Sequence, residues 1–261
     1  MHGWEKWNDW YRREWRPVME WMARASGAAP GQTALDLACG SGQPGFLVAR
    51  AVGPGGKVIA IDISAEMLDV ARRLAPEEGL DNLEFREGDI ADLAGIADGS
   101  IDAATCGFAL MFCPDPVRVA RELHRVLRPG ARFALCVWGD PARNQFLNSM
   151  FGAIGQVLQA PPPDPAAPGP YRLSGPGELE SVLRAGGFTD VRTEVVDVTF
   201  AMPTREMMWE MFLDCGAPAR RAVQGTTAEN AARIKQAYFA ALGPDEPTRV
   251  LATPLCATGV R

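Results

Sequence analysis

Histidine is nearly missing from this chain. Its 261 residues hold two, His2 and His124, far apart in sequence, and a zinc site needs several His or Cys ligands brought together. The six cysteines, Cys39, Cys106, Cys113, Cys136, Cys215 and Cys256, form no CxxC pair. Several lie in apolar strand-like runs, so they read as reduced, structural thiols and no metal is expected. A positive balance is missing too. Lys and Arg total 26 against 32 Asp and Glu, a net charge of −6 with a pI near 5.1, which argues against a nucleic-acid partner. No apolar run approaches the roughly 20 residues of a membrane span. Met1-His-Gly-Trp-Glu-Lys-Trp7 has no signal-peptide apolar core. The expectation is a cytoplasmic protein with no membrane span. Internal repeats are also absent. What is present, 47% hydrophobic and 22% charged residues, suits an ordinary globule: one large domain, or a domain with a cap.

The chain is organised around Ala34-Leu-Asp-Leu-Ala-Cys-Gly-Ser-Gly-Gln-Pro-Gly45. It reads as a buried strand over 33–38, a glycine turn, and a helix opening at Pro44, where a missing N–H costs nothing. Gly40 and Gly42 let the backbone turn tightly and approach a ligand. A second apolar run, Val58-Ile-Ala-Ile-Asp62, ends in a carboxylate about one βαβ unit on. A glycine turn followed by a carboxylate able to accept hydrogen bonds from a ribose is a nucleotide-binding fingerprint.

From 33 to 138 the pattern alternates strand and helix. Strands are expected at 33–38, 57–62, 83–87, 101–106 and 132–138. Helices are expected at 44–53, after a Ser64 cap, and at about 116–128. Such alternation implies a parallel, doubly wound sheet with ligands at the carboxyl ends of its strands. Residues 1–30 carry Trp4, Trp7, Trp10, Tyr11, Trp15 and Trp21. Trp4, Trp7, Tyr11 and Trp15 fall at helical spacing, which suits either an amphipathic helix packed on the core or a lid over a ligand. Past 139 the regularity drops. A helix over 144–159, a proline-rich loop over 161–170, a helix over 178–185, a long strand over 191–200, two helices within 204–243 and a strand over 251–260 are expected.

Gly40-x-Gly42-x-x-Gly45 alone also fits a dinucleotide, so a nicotinamide-dependent oxidoreductase is one reading. Asp36 counts against it, because a carboxylate there would repel a pyrophosphate. Asp89, after Gly88 at the end of the third strand, can accept from an adenine amino group. S-adenosyl-L-methionine (SAM) carries an ammonium, a sulfonium, a ribose diol and an adenine. Asp36, Asp62 and Asp89 offer acceptors for such a ligand.

Ala34-Leu-Asp-Leu-Ala-Cys-Gly-Ser-Gly42, Ile61-Asp-Ile-Ser64, Gly88-Asp-Ile90, Ile101-Asp-Ala-Ala-Thr-Cys-Gly-Phe-Ala-Leu-Met-Phe112 and Leu123-His-Arg-Val-Leu-Arg-Pro-Gly-Ala131 resemble successive motifs of class I SAM-dependent methyltransferases. They are similar in particular to the small-molecule "type 11" branch that includes quinone-biosynthesis C-methyltransferases. The resemblance covers 33–138 strongly and the ends weakly. It implies a Rossmann-like, mostly parallel seven-stranded sheet with an antiparallel last strand, formed by a hairpin-like pair of 191–200 and 251–260, and a helical cap. The cap would comprise an N-terminal lid over 1–30 and insertions at about 139–175 and 200–249. It implies that Asp36, Ala38, Gly40 and Gly42 surround the methionine moiety. Asp62 would take the ribose hydroxyls, with Ile63 and Met67 beside the adenine. Gly88, Asp89 and Ile90 would face the adenine amino group, and Cys106 and Phe108 the sulfonium side. Ala38 departs from the pattern, since many members carry glycine there.

Methyl transfer from a sulfonium is an in-line displacement governed by alignment and exclusion of water. A neutral hydroxyl or carbon acid also needs a base. Tyr11, Tyr171 and His2 are the candidates, with Asp140 after the fifth strand; His124 reads as structural. Met150, Phe151, Met202, Met207, Met208, Trp209, Met211 and Phe212 are candidates to line a pocket for a hydrophobic acceptor, or else are core or a homodimer face. The expected acceptor is aromatic, quinone-like, terpenoid or polyketide, methylated on O or C. A protein that binds SAM without transferring methyl is the third reading.

Overall fold

The computed structural model describes residues 2–159, 164 and 166–261. Two compact units emerge from its internal contacts. The larger comprises Arg16–Gly139, Pro165–Val196 and Pro254–Arg261, and the smaller comprises the residues up to Trp15, Asp140–Asp164 and Asp197–Thr253.

The N-terminal stretch is broken into α1 (His2–Lys6), α2 (Asn8–Glu14) and α3 (Arg16–Ala25) rather than one helix. The division between units falls between α2 and α3. In the larger unit, α3 is followed by β1 (Thr33–Leu37), α4 (Gly45–Val52), β2 (Lys57–Asp62), α5 (Ala65–Glu77), β3 (Leu83–Glu87), β4 (Ile101–Gly107), α6 (Pro116–Val126) and β5 (Leu127–Trp138). The sequence dictates these boundaries locally. The Ser64 side chain accepts the Met67 N–H at 3.3 Å and caps α5, and Asp115 caps α6 ahead of Pro116. Pro44 is the residue before α4 rather than its first residue. The apolar stretches of β1 and β2 are buried almost throughout, as befits parallel strands covered on both faces.

The smaller unit contributes α7 (Gln145–Leu158). The chain returns to the larger unit for α8 (Glu178–Ala185) and β6 (Thr189–Val195), then gives the smaller unit β7 (Val198–Met202), α9 (Arg205–Cys215), α10 (Ala217–Gln224), α11 (Ala228–Leu242) and β8 (Thr248–Ala252). It ends in the larger unit with β9 (Pro254–Val260). Residues 204–243 therefore hold three helices, not two, because Gly216 and the turn from Gly225 to Thr227, whose side chain caps α11, each interrupt the run. Residues 161–163 and 165 of the proline-rich stretch lie outside the described residues.

Among the described residues the larger unit forms a seven-stranded sheet of order β3-β2-β1-β4-β5-β9-β6. All neighbours pair in parallel except β9, which runs antiparallel to both β5 and β6. The order reverses between β1 and β4. Right-handed crossovers on either side of that point put α4 and α5 on one face and α6 on the other. The reversal opens a crevice at the carboxyl ends of β1 and β4, where open α/β sheets bind ligands. The expected long strands are each split in two. Chain 191–200 bends at Val196-Asp197 and 251–260 at Thr253, so β6 pairs with β9 in the main sheet while β7 pairs with β8 in a two-stranded sheet of the smaller unit.

Trp7, Trp10 and Trp15 are core in the smaller unit, whereas Trp4 and, in the larger unit, Trp21 are half-buried. Trp10 and Trp15 are buried among Phe146, Phe200 and Phe212. Trp15 and Phe200 lie 4.4 Å apart between ring centroids, and Phe146 and Phe212 lie 4.7 Å apart. The Trp10 indole N–H donates to the Ala201 carbonyl, and Glu14 accepts the Ala201 N–H, both at 2.8 Å. Of the residues considered for an acceptor pocket, Met150, Met202, Met208, Trp209, Met211 and Phe212 are buried core. Phe151 and Met207 are half-buried.

Candidate active site

The glycine turn is held by two carboxylates with different environments. Asp36, near the end of β1, has no exposed surface. Its Oδ2 accepts the Gly45 N–H at 2.9 Å and its Oδ1 accepts the Thr105 hydroxyl at 2.6 Å. Asp36 thus fastens the start of α4 to β4. With no exposed surface and a protein donor on each oxygen, Asp36 holds the loop in this structure. Burial pushes its carboxyl up to about 7, opposed by the Thr105 and Gly45 hydrogen bonds and aided by the nearby Asp62 charge. Glycine is required at 45 because an added Cβ would lie 2.6 Å from Asp36 Oδ2. At Gly42, with φ of +111°, a Cβ would lie 2.3 Å from the Phe46 ring.

Asp62 ends β2 and is nearly buried. Its Oδ2 accepts the Gly40 N–H at 2.8 Å and its Oδ1 the Ser64 N–H at 2.9 Å. A carboxylate has about four lone-pair positions, so each oxygen can accept one further bond from a ligand hydroxyl. The Gly88 N–H donates to the Asp62 carbonyl at 3.0 Å, which draws the end of β3 to the end of β2. Ile63, the next residue, is 74% exposed, an apolar side chain left in the open at the ligand end of the sheet. Met67 lies on the first turn of α5, its Cε 3.4 Å from where a Gly40 Cβ would be. Asp89 is exposed and accepts the Ala91 N–H at 2.8 Å, while Ile90 is buried.

Two non-glycine residues adopt left-handed backbone here: Ala38 (φ 53°) after β1 and Phe108 (φ 52°) after β4. Backbone strain of this kind persists where surroundings over-determine it and clusters at ligand sites. The Phe108 ring packs on Trp138 at 4.8 Å. Ala38 stands where the resembled family often has glycine, and its φ gives the physical reason. Ala38→Gly relieves a penalty of roughly 1 kcal/mol and loses part of it to unfolded-chain entropy. The expected result is unchanged or slightly raised thermal stability, and a marked fall in melting temperature would contradict the strain.

Cys106 is buried, its sulfur beside the backbone N–H groups of Ala109 and Leu110, and burial pushes its thiol well up. It stays a neutral thiol. Among the candidate bases, the Tyr11 hydroxyl contacts Met211 Sδ at 3.3 Å. Burial raises its pKa well above the ordinary value, so it is held protonated and unsuited to act as a base. Tyr171 lies in a turn capped by Ser174, whose hydroxyl donates to the Tyr171 carbonyl at 2.6 Å. The His2 side chain lies outside the described residues. Asp140 caps a 3₁₀ turn through the Ala142 N–H. His124 packs edge-on against Phe188 at 5.3 Å, and burial lowers its pKa. Thr105 was missed by motif reading. Its signal was a hydroxyl in the buried half of β4, level with Asp36 in the β1–β4 register.

The crevice thus gathers carboxylates beside a glycine turn and an exposed aliphatic residue after β2. A family description of a methyltransferase domain matches residues 28–151. The chain is 32% identical over 248 residues to the nocamycin O-methyltransferase of Saccharothrix syringae, an alignment covering 91% of this chain and 81% of that one. The chain belongs to the SAM-dependent methyltransferases. Its cofactor is S-adenosyl-L-methionine, and the nicotinamide reading is set aside. It is also 38% identical over 141 residues to the 2-phytyl-1,4-naphtoquinone methyltransferase of Nostoc sp., covering 53% of this chain and 61% of that protein. That match therefore spans less than two thirds of the relative. The fold matches the YcgJ protein of Bacillus subtilis with a TM-score of 0.61 at 20% identity, over 93% of this chain and 97% of that one. Among the described residues no group of three or more His, Cys, Asp or Glu side chains could hold a metal ion, and no helix is long and apolar enough to cross a membrane.

Proposed function

We propose that this methyltransferase acts on a hydrophobic small molecule of polyketide or quinone-like type, with aromatic and terpenoid acceptors in the same class, and that oxygen is the methylated atom before carbon. The observation that carries this reading is the alignment over 91% of the chain with a protein named as an O-methyltransferase. The naphthoquinone methyltransferase aligns over only 53% of the chain. A cytoplasmic location belongs to the same proposal.

Bound SAM supplies an electrophilic methyl group on a sulfonium. The residues fit it: Asp62 has acceptor capacity left for the two ribose hydroxyls, and Ile63 and Met67 offer apolar surface to the adenine. Asp89 offers an acceptor to its amino group beside Gly88 and Ile90. Ala38, Gly40 and Gly42 shape the turn around the methionine part, Asp36 holds that turn from behind, and Cys106 and Phe108 close the sulfonium side. With Tyr11 held protonated, the chain contributes mainly alignment and water exclusion. An acidic acceptor hydroxyl, as on a phenol or enol, suits such a site because little base assistance is needed.

The test is incubation of the purified protein with SAM and separate panels of enolic or phenolic polyketides and of quinols, read by mass spectrometry. A product heavier by one methylene, with the methyl on oxygen, supports the reading. Methylation confined to a quinone ring carbon would overturn the choice of oxygen. SAM binding with no methylated product from either panel would overturn the acceptor class.

A further inference from the structure

The chain leaving β4 forms a 3₁₀ turn, Leu110–Phe112. Within it the Phe112 N–H donates to the Ala109 carbonyl at 2.8 Å and the Cys113 N–H to the Leu110 carbonyl at 3.2 Å. Leu110 and Met111 are buried, whereas Phe112 is 48% exposed. Exposed large apolar side chains are few among the described residues: Ile63, Phe112 and Val195. Val195 lies on the edge strand β6. Ile63 and Phe112 follow β2 and β4, the two strands that flank β1, so both belong to the ligand end of the sheet. The proposed cofactor contacts use Ile63 and leave Phe112 unassigned.

A segment from far along the chain fixes this turn. The Gly169 N–H donates to the Met111 carbonyl at 3.1 Å. Arg172 then spans two consecutive carbonyls, Nη1 to Cys113 at 2.6 Å and Nη2 to Pro114 at 3.3 Å. The strap is itself held in shape: the Arg172 N–H returns to the Gly169 carbonyl at 3.2 Å, and the Ser174 N–H to the Tyr171 carbonyl at 3.2 Å. Leu173, buried, takes a left-handed φ of 73°. The rigid, planar donor fork of arginine spans two carbonyls with a fixed geometry that a lysine ammonium on a flexible stem does not provide.

We propose that Arg172 is a positioning residue for the methyl acceptor, locking the turn after β4 so that the Phe112 ring forms one apolar wall of the acceptor site. This rests on the proposed small-molecule methyltransferase reading. The wall suits a planar or alkyl-rich acceptor, and the strap sets its placement without touching the cofactor.

Arg172→Gln, Arg172→Lys and Phe112→Ala test it, with two independent readouts. Hydrogen exchange of the Phe112 and Cys113 amides needs no acceptor. Arg172→Gln is expected to speed it about tenfold or more while the Met67 amide on α5 keeps its wild-type rate, and Arg172→Lys is expected to fall between. Unchanged exchange overturns the clamp, and uniformly faster exchange at Met67 as well makes Arg172 a general stability residue and also overturns it. In steady-state assays with the methylated acceptor, Arg172→Gln and Phe112→Ala are expected to raise the acceptor KM about tenfold, a loss of about 1.4 kcal/mol, with the dissociation constant for S-adenosylhomocysteine within twofold of wild type. A loosened turn with unchanged kcat/KM, or a parallel loss of cofactor affinity, overturns the acceptor role. A wild-type protein that methylates nothing contradicts the proposed function and the acceptor role with it, while hydrogen exchange still decides the clamp.

Discussion

Asp62→Ala is expected to weaken cofactor binding by a factor of about 100 or more. In the proposed complex the side chain accepts two ribose hydroxyls, and each hydrogen bond to a charged group contributes about 1.5–3 kcal/mol. Losing both therefore costs about 3 kcal/mol or more, and every 1.4 kcal/mol is about tenfold in affinity. The same carboxylate also holds the Gly40 and Ser64 N–H groups, so the substitution loosens the glycine turn and lowers stability by about 1–3 kcal/mol. Calorimetric titration with S-adenosylhomocysteine, paired with thermal denaturation, separates the two effects. Asp62→Asn keeps one acceptor oxygen and the side-chain volume. Because one of the Gly40 and Ser64 N–H groups then faces the amide nitrogen, it is expected to lose affinity and part of the stability. Wild-type affinity in Asp62→Ala would contradict the ribose assignment.

The second large effect belongs to Asp36→Asn. In the folded chain the Asp36 carboxyl sits at about 7 against an ordinary 3.8, because burial penalises its charge. A group whose folded pKa is raised contributes stability in full below its unfolded value, and loses it as pH rises through the folded one. The window is therefore about pH 4 to 7. Moving an ionisation across that span costs the ligand-free fold about 4 kcal/mol as an upper bound. Asparagine keeps the shape, with an oxygen for the Gly45 N–H and an amide able to donate to Thr105. Subtracting the two pH-stability curves isolates Asp36 from His124 and other groups that titrate nearby. The expected difference grows from near zero at pH 4 to favour Asp36→Asn by several kcal/mol at pH 8. The charge has a use when a cation is bound nearby. Wild-type affinity for SAM is expected to rise with pH between 6 and 8, and that rise is expected to vanish in Asp36→Asn. A flat wild-type profile would show that the ionised carboxylate takes no part in binding.

Much of this fold was legible in short-range chemistry. The apolar run ending at Asp62 is β2 at its full length, the Ser64 cap opens α5 as its hydroxyl requires, and the two glycines after Ala185 stop α8. The reversed strand β9 followed from the family resemblance rather than from periodicity. What failed depended on tertiary contacts. Val196-Asp197 and Thr253 look like any residues of a continuous strand, yet each is where the chain passes from one sheet to another, and local pattern carries no mark of which sheet a strand joins. The N-terminal tryptophans were ambiguous for the same reason: helical spacing identifies an apolar face, not its partner. At the site, the glycines and carboxylates could be named in advance. The role of Asp36 could not, because a ligand-facing carboxylate and a loop-holding one read identically until Thr105 and Gly45 are seen to occupy its oxygens. Arg172 gave no signal at all, since an arginine in a proline-rich stretch is indistinguishable from a solvated one.

In the proposed complex the turn anchored by Asp62 holds the cofactor through its ribose. The most direct measurement is a crystal structure of the protein with S-adenosylhomocysteine bound. Both ribose hydroxyls are expected within hydrogen-bonding distance of the Asp62 carboxylate, with the adenine against Ile63 and the Asp36 carboxylate still bonded to Gly45 and Thr105. Density for the nucleoside elsewhere, with Asp62 contacting only Gly40 and Ser64, would contradict it.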